Sequence, residues 1–457
     1  MTHRHEAVDT IVIGGGVSGL ALGFFARQAG QSVLVLEESP VAGGKIRTDW
    51  VEGFCCEWGP QGFLDNVPET LELVRLLKLE NRLVKASNAA ADRFILRNGK
   101  LRKVPLSPPA FLASDVLSLR GKLRVLAEPF IPRGRDEDES VWAFARRRIG
   151  REAADVLVDA MVTGVFAGKA KELSLPATFP KMAYMERTYG SLTWAMVSLR
   201  RRGGGGPAGP GGTLTTFSSG MQELTDALVA ALGPHLKLSS PVAAVGYQEG
   251  KEARWSVRLE SGQEILARQL AVTTPPPKTA TLFAHLFPGE ALAALREIPM
   301  PPVVVVMTAY RRPQPFAHPL SGFGFLVPSG EPRHILGTLF CHSIFPNQAP
   351  PGTVLLRTIL GGARKPEVAS FSDEELVRLV RRELHAVLGG DPDPDLVRVF
   401  RHLEGIPQYT LGHLRRLAVL EETASRFPGL HLTGNAYRGV AVNACIAEAK
   451  KIAQALR

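Results

Sequence analysis

The chain has 457 residues, too many for one simple core, so two or three lobes are expected. A hydrophobic share of 45% with 21% charged residues excludes a disordered chain, and the 45 Gly and 34 Pro point to many turns in a mixed α/β protein. The net charge of +10 admits an anionic membrane surface or a polyanionic small molecule as partner. Nucleic acid is disfavoured, because no recognisable module accompanies the charge.

Four cysteines (Cys55, Cys56, Cys341, Cys445) are scattered without a C-x-x-C pair and read as reduced thiols of a reducing compartment. The first ten residues are polar and charged, unlike a secretory signal, and no run of about 18 apolar residues suggests a spanning helix. A cytoplasmic location is expected.

In chain order, 8–13 reads as a buried strand running into glycines, 17–29 as an alanine-rich helix ended by Gly30, and 32–36 as a second buried strand. Together they make one βαβ unit. From about 67 to 200 the texture is helical with little strand character, clearest at 67–79 and 139–166; the basic, amphipathic stretch 117–130 could lie on a membrane. The Gly/Pro run 203–212 reads as a surface loop. A helix at 221–232 and strands at 242–247, 255–259 and 270–274 follow, then a sheet-like stretch at 302–364, a helix at 373–388 and a strand at 396–400. The end returns to strand (430–433), Gly434-Asn435 and a small-residue helix.

Gly14, Gly16 and Gly19 form G-x-G-x-x-G in the right βαβ context. Gly14 allows the tight turn, Gly16 the close approach of a pyrophosphate, and Gly19 the packing of helix on strand. Val17 and Ser18 open the helix and offer free N–H groups to phosphate. Glu37, followed by Glu38, ends the second strand where a carboxylate accepts ribose hydroxyls. The following Gly43-Gly44-Lys45-Ile46-Arg47 resembles the segment that follows the ribose-binding carboxylate in FAD enzymes, which implies FAD over a nicotinamide cofactor. Its glycines bring backbone N–H groups close, and Lys45 or Arg47 offsets phosphate charge. Gly434-Asn435 is the returning segment that closes over the cofactor.

Four stretches then carry a specific resemblance: Glu57-Trp58-Gly59-Pro60-Gln61-Gly62-Phe63, Thr163-Gly164-Val165-Phe166-Ala167-Gly168, Gly322 to Pro328, and Gly434 to Asn443, with Ile406-Pro407-Gln408-Tyr409 upstream of the last. The chain resembles the protoporphyrinogen oxidases of the oxygen-dependent bacterial type, a branch of the FAD-dependent, amine-oxidase-like flavoproteins. The resemblance implies a discontinuous Rossmann-like FAD-binding domain (1–66 with 214–275 and 411–457). It also implies a mixed-sheet substrate domain (67–92 with 276–410) and a helical membrane-associating region (93–213). Activity would be six-electron oxidation of protoporphyrinogen IX, with coproporphyrinogen III as the alternative substrate and O2 as acceptor. An amine oxidase or carotenoid-type desaturase is the more distant alternative.

On the same resemblance Gly59, Pro60, Val242, Tyr409, Val440, Ala441 and Val442 join the cofactor set. Arg93 would clamp a propionate, Gly164 would turn its carbonyl to the pyrrole N–H groups, and Leu326 (or its neighbour Phe325) and Phe345 would sandwich the macrocycle. Some relatives carry Arg at the position of Gln61, so one candidate cation is missing there. No metal site and no side-chain catalytic base is expected, and the eleven His, His413 included, read as structural or solvated. Expected partners are the porphyrinogen, O2 and the inner face of the cell membrane, the protein being a monomer or homodimer.

Overall fold

The computed structural model describes residues 6–201 and 211–456, so all but the last two residues of the expected Gly/Pro loop at 203–212 lie outside the described residues. Ile11, Val12, Ile13 and all of Val33–Leu36 are buried, as central strands covered on both faces must be. They anchor a seven-stranded sheet ordered Leu236–Lys237, Val33–Leu36, Glu6–Ile13, Glu264–Val272, Trp255–Leu259, Val242–Tyr247, with Leu430–Leu432 also pairing Glu264–Val272. Start, middle and end of the chain thus meet in one sheet. Its central strands are parallel, and Ile13 stands opposite both Leu36 and Val272. Helices Val17–Gln28, Gln222–Leu232 and Val442–Ala455 cover one face through Leu20, Leu224, Leu228 and Ile446. Trp255, Phe283, Phe287 and helices Gly289–Arg296 and His413–Ser425 cover the other.

A second seven-stranded sheet runs Leu396–His402, Val303–Tyr310, Val354–Gly361, Ile335–Phe340, Gly324–Leu326, Arg93–Arg97, Lys100–Lys103. Helix Asp373–Leu388, opened by a Ser372/Glu375 capping box, packs on one face through Leu376, Leu379 and Leu384. The opposite face meets Phe54 and Cys56 of the hairpin Thr48–Val51/Phe54–Glu57 through Val305, Met307 and Cys341. All four cysteines are free and buried.

The hairpin Arg93–Arg97/Lys100–Lys103 departs from the expectation of a helical stretch with little strand character. It joins the second sheet because Arg93–Arg97 pairs in parallel with Gly324–Leu326, so the helical stretch begins after Lys103. Its five basic residues conceal the apolar alternation, and charged side chains are what sheet edges tolerate. The helix expected over 139–166 is also interrupted. Gly150, at φ +90°, ends Val141–Ile149; a helical turn at Arg151–Ala153, a π-helical turn at Ala154–Val158 and helix Asp159–Phe166 follow.

That helical lobe is pinned internally by charge. Arg148 is fully buried and donates to Glu128, Ile131 O and Gly190 O, while Glu128 also accepts from Ser191, Leu192 N and Thr193. Among the described residues no helix is long and apolar enough to cross a membrane.

Candidate active site

The carboxyl ends of the parallel strands carry the glycine turns, where open α/β sheets bind ligands. Gly14 leaves its strand at φ +107°, and a Cβ on Gly19 would stand 1.9 Å from Gly14 O, so helix and turn can approach this closely only with glycine. Gly16 caps helix Val17–Gln28 with no side-chain partner, and Ala441 does the same for Val442–Ala455. Two uncapped helix N-termini therefore lie side by side, tied by Ser18 to the Cys445 thiol. Both present N–H groups and positive dipole ends.

Glu37 accepts the Gly15 N–H at 2.6 Å and the Ser39 N–H at 2.9 Å, which fixes its carboxylate beside the turn. Gly43 donates to Gly15 O at 2.8 Å, and Gly44 lies against Gly16. Gly434, at φ +118°, lies against the backbone of Thr273, whose hydroxyl bonds Ile13 O and Gly14 O. Tyr409 donates to Asn435 O at 2.6 Å and accepts from Gly439 N at 2.7 Å, holding the returning loop from beneath. Val440 packs beside Tyr409, and Val242 follows Ser240, whose N–H bonds Glu37 O. Glu38 points elsewhere, ion-paired to Lys278.

This donor set fits a dinucleotide. A Cβ on Gly16 would meet nothing within 4 Å, so the space above the turn is open, whereas one on Gly15 would strike Glu37. Burial pushes the Lys45 ammonium down, against the pull of Glu404, and a nearby anionic group would oppose that push. Arg47 lies over the Trp58 ring at 5.3 Å and keeps a buried Nε without a partner.

The Glu57–Gln61 loop joins the two sheets. Trp58 N donates to Arg47 O at 3.0 Å, and Gly59 stands so close to Lys45 O that a Cβ would lie 2.1 Å from it. The second sheet holds this loop's carbonyls: His402 Nε2 donates to Trp58 O at 2.9 Å and buried Arg357 to Gly59 O. Pro60 is half-buried beside them. Gln61 is buried and bonds Gln348 at 2.5 Å. Burial pushes the Glu57 carboxyl up to about 7, against hydrogen bonds from Met221 N and Thr48.

The structure brings Arg93, Gly164 and Leu326 together. Arg93 pairs with Gly324 and Ile95 with Leu326, so Arg93 and Leu326 share one face of the sheet. Phe94 and Phe325 take the opposite face, in the core beneath helix Asp373–Leu388. Leu326 is therefore the half-exposed residue of the pair and Phe325 is core. A Cβ on Gly164 would stand 3.0 Å from Leu326 Cδ1. Arg93 is exposed, its guanidinium 5.0 Å from the centre of the half-buried Phe323 ring.

Phe345 differs. It is 0% exposed and packed with Ala90, Ile344, Leu339 and Phe323. The aromatic ring beside Arg93 is Phe323, which sequence reasoning passed over. Arg357 and His402 were also missed, since their partners lie 298 and 344 residues away in the chain, as was Arg364, whose partner Thr163 lies 201 residues away. His413 is buried, stacked on Tyr409 and held down to about 4, so it is neutral. No group of three or more His, Cys, Asp or Glu among the described residues could hold a metal.

Comparison with known proteins adds an independent line. The family described as flavin containing amine oxidoreductase matches residues 17–457. A chloroplastic protoporphyrinogen oxidase of Nicotiana tabacum is 32% identical over 98% of this chain and 85% of its own. The protoporphyrinogen oxidase of Bos taurus is 32% identical over 97% of each chain, and a coproporphyrinogen III oxidase of Bacillus subtilis 29% over 96% of each. A solved structure from Exiguobacterium sp. 255-15 shares the fold with a TM-score of 0.85 at 24% identity, covering 99% of this chain and 98% of that one.

Proposed function

This chain belongs to the flavin-containing amine oxidoreductase family and is an FAD-dependent oxidoreductase, and from that premise we propose that it oxidises protoporphyrinogen IX to protoporphyrin IX in haem biosynthesis. Six electrons leave in two-electron steps, each reducing one O2 to one hydrogen peroxide. Bound FAD supplies the hydride acceptor, and the protein's task is placement and exclusion of water.

The observation that carries this reading is the shared sheet face. Arg93, Phe323, Leu326 and Gly164 gather on it, and Arg357 and His402 of the same sheet hold the loop that lines the cofactor cradle. The apolar groups offer a surface to the macrocycle, and Arg93 offers a planar fork to a propionate. Gly164, lacking a side chain, leaves its backbone open to ring N–H groups. The first sheet with its helices holds FAD, and the second sheet, including the hairpin Arg93–Lys103, faces the substrate. Leu326, rather than Phe325, is the wall on this face, and Phe345 supports it from behind through Phe323.

Coproporphyrinogen III is the second reading, favoured by the Bacillus subtilis relative. Turnover of the two porphyrinogens by one FAD-loaded preparation separates them. A higher kcat/KM for protoporphyrinogen IX is expected; a reversed preference would transfer the assignment to the tetracarboxylate.

We also assign the helical lobe to a membrane surface. In Leu119–Leu126 the polarity is inverted: Arg124 turns inward to Arg147 O and Arg148 O, while Leu119, Leu123 and Leu126 are 73%, 58% and 54% exposed. Leu106, Leu112 and Phe130 of the same lobe are exposed as well. An amphipathic helix with basic neighbours suits an anionic leaflet, here the cytoplasmic one.

A further inference from the structure

Arg364 is half-buried in the turn after strand Val354–Gly361 and takes no part in the reading above. Its Nη1 donates to Val327 O at 2.6 Å and to Thr163 Oγ1 at 3.2 Å, and its Nη2 to Pro328 O at 3.2 Å. One guanidinium thus spans the two walls of the substrate face: Thr163 precedes Gly164 on its helix, and Val327 directly follows the strand that ends at Leu326. Asp159, one turn before Thr163, closes the other side by accepting the Ser329 N–H at 2.6 Å. Asp159 and Thr163 are buried, and Asp159 opposes the downward push that burial exerts on Arg364.

The neighbouring backbone is specialised as well. The π-helical turn Ala154–Val158 inserts an extra residue ahead of the helix and so sets the angular phase at which Gly164 emerges. Ala167 ends that helix in the left-handed region at φ +49°, and its carbonyl accepts the N–H of Ala363, the residue before Arg364. The turn carrying Arg364 is therefore bonded on both sides of Gly164, at Thr163 and at Ala167.

We propose that Arg364 is a positioning residue that fixes the separation between Gly164 and Leu326, and so sets the enzyme's affinity for its macrocyclic substrate. This rests on the porphyrinogen reading of the same face. Arg suits the task because its planar fork reaches three oxygens from one side chain, which a lysine ammonium cannot do in the same geometry.

The test is steady-state kinetics of FAD-loaded Arg364→Lys and Thr163→Val beside the wild type, with flavin content and thermal midpoint measured on the same samples. Thr163→Val removes one acceptor and leaves no unpaired buried charge, so it folds even if Arg364→Lys does not. KM for protoporphyrinogen IX is expected to rise about tenfold in Arg364→Lys and about threefold in Thr163→Val, with kcat within about twofold and full flavin content. A purely structural role would lower the thermal midpoint and active fraction but leave the KM of the surviving enzyme at the wild-type value. That outcome overturns the proposal. If the wild type itself oxidises no porphyrinogen, the parent reading has failed instead.

Discussion

Glycine and arginine positions give the sharpest consequences at the residue scale. Gly19→Ala would drive a Cβ to 1.9 Å from Gly14 O, so the variant is expected to purify without bound flavin, as absorbance near the flavin bands would show. Gly164→Ala places its methyl at 3.0 Å from Leu326 Cδ1. It should therefore keep its flavin and lose activity through KM. Arg93→Ala removes the exposed fork, and KM should rise about tenfold, roughly 1.4 kcal/mol, with kcat little changed. An equal fall in kcat would place Arg93 in the chemical step instead. The glycines were legible in the sequence because each answers to geometry within a few residues of itself. Arg357 and His402 were not: they bond carbonyls 298 and 344 residues away, and nothing local distinguishes them from other strand residues. Phe323 was passed over for a similar reason, since only packing shows that its ring lies beside Arg93 and against the buried Phe345.

Among the elements, those with strong local periodicity were legible. The helix Asp373–Leu388 was expected at its observed bounds, because a Ser cap with Glu three residues on and a clear apolar stripe mark its start. The hairpin Arg93–Lys103 was not, because its pairing partner Gly324–Leu326 is remote and its own charges read as surface. Helix Leu119–Leu126 was legible as amphipathic but ambiguous, since an apolar stripe can face either a core or a membrane. The structure turns that stripe outward. Replacing Leu119, Leu123 and Leu126 together by Ser should abolish sedimentation with vesicles of anionic phospholipid, each leucine contributing about 1.5 kcal/mol or more when buried. Flavin content and turnover of dispersed substrate should stay at wild-type levels. Undiminished sedimentation would remove this helix from the membrane surface.

For the whole molecule, the junction between the two sheets is the coupled feature. Glu57 sits there, buried, with its carboxyl pushed up to about 7 from an ordinary 4.5. The folded state then holds a proton that the unfolded chain releases between those values. Stability attributable to Glu57 is thus present below about pH 4.5 and lost as pH rises through 7. Glu57→Gln should flatten this part of the stability profile, as chemical denaturation across that range would register; an unchanged slope would mean another group titrates. That the first sheet draws on both ends of the chain was legible, because a strand, a glycine turn and a small-residue helix stand at each end. The contact between lobes was not, since it is built from single residues on separate strands.

Anaerobic mixing of the purified, FAD-loaded protein with protoporphyrinogen IX bears most directly on the central claim. Bleaching of the flavin absorbance with the first two electrons is expected, followed on admitting air by porphyrin fluorescence and uptake of three O2 per porphyrin formed. A flavin that stays oxidised with an excess of protoporphyrinogen IX, and also with coproporphyrinogen III, would contradict it.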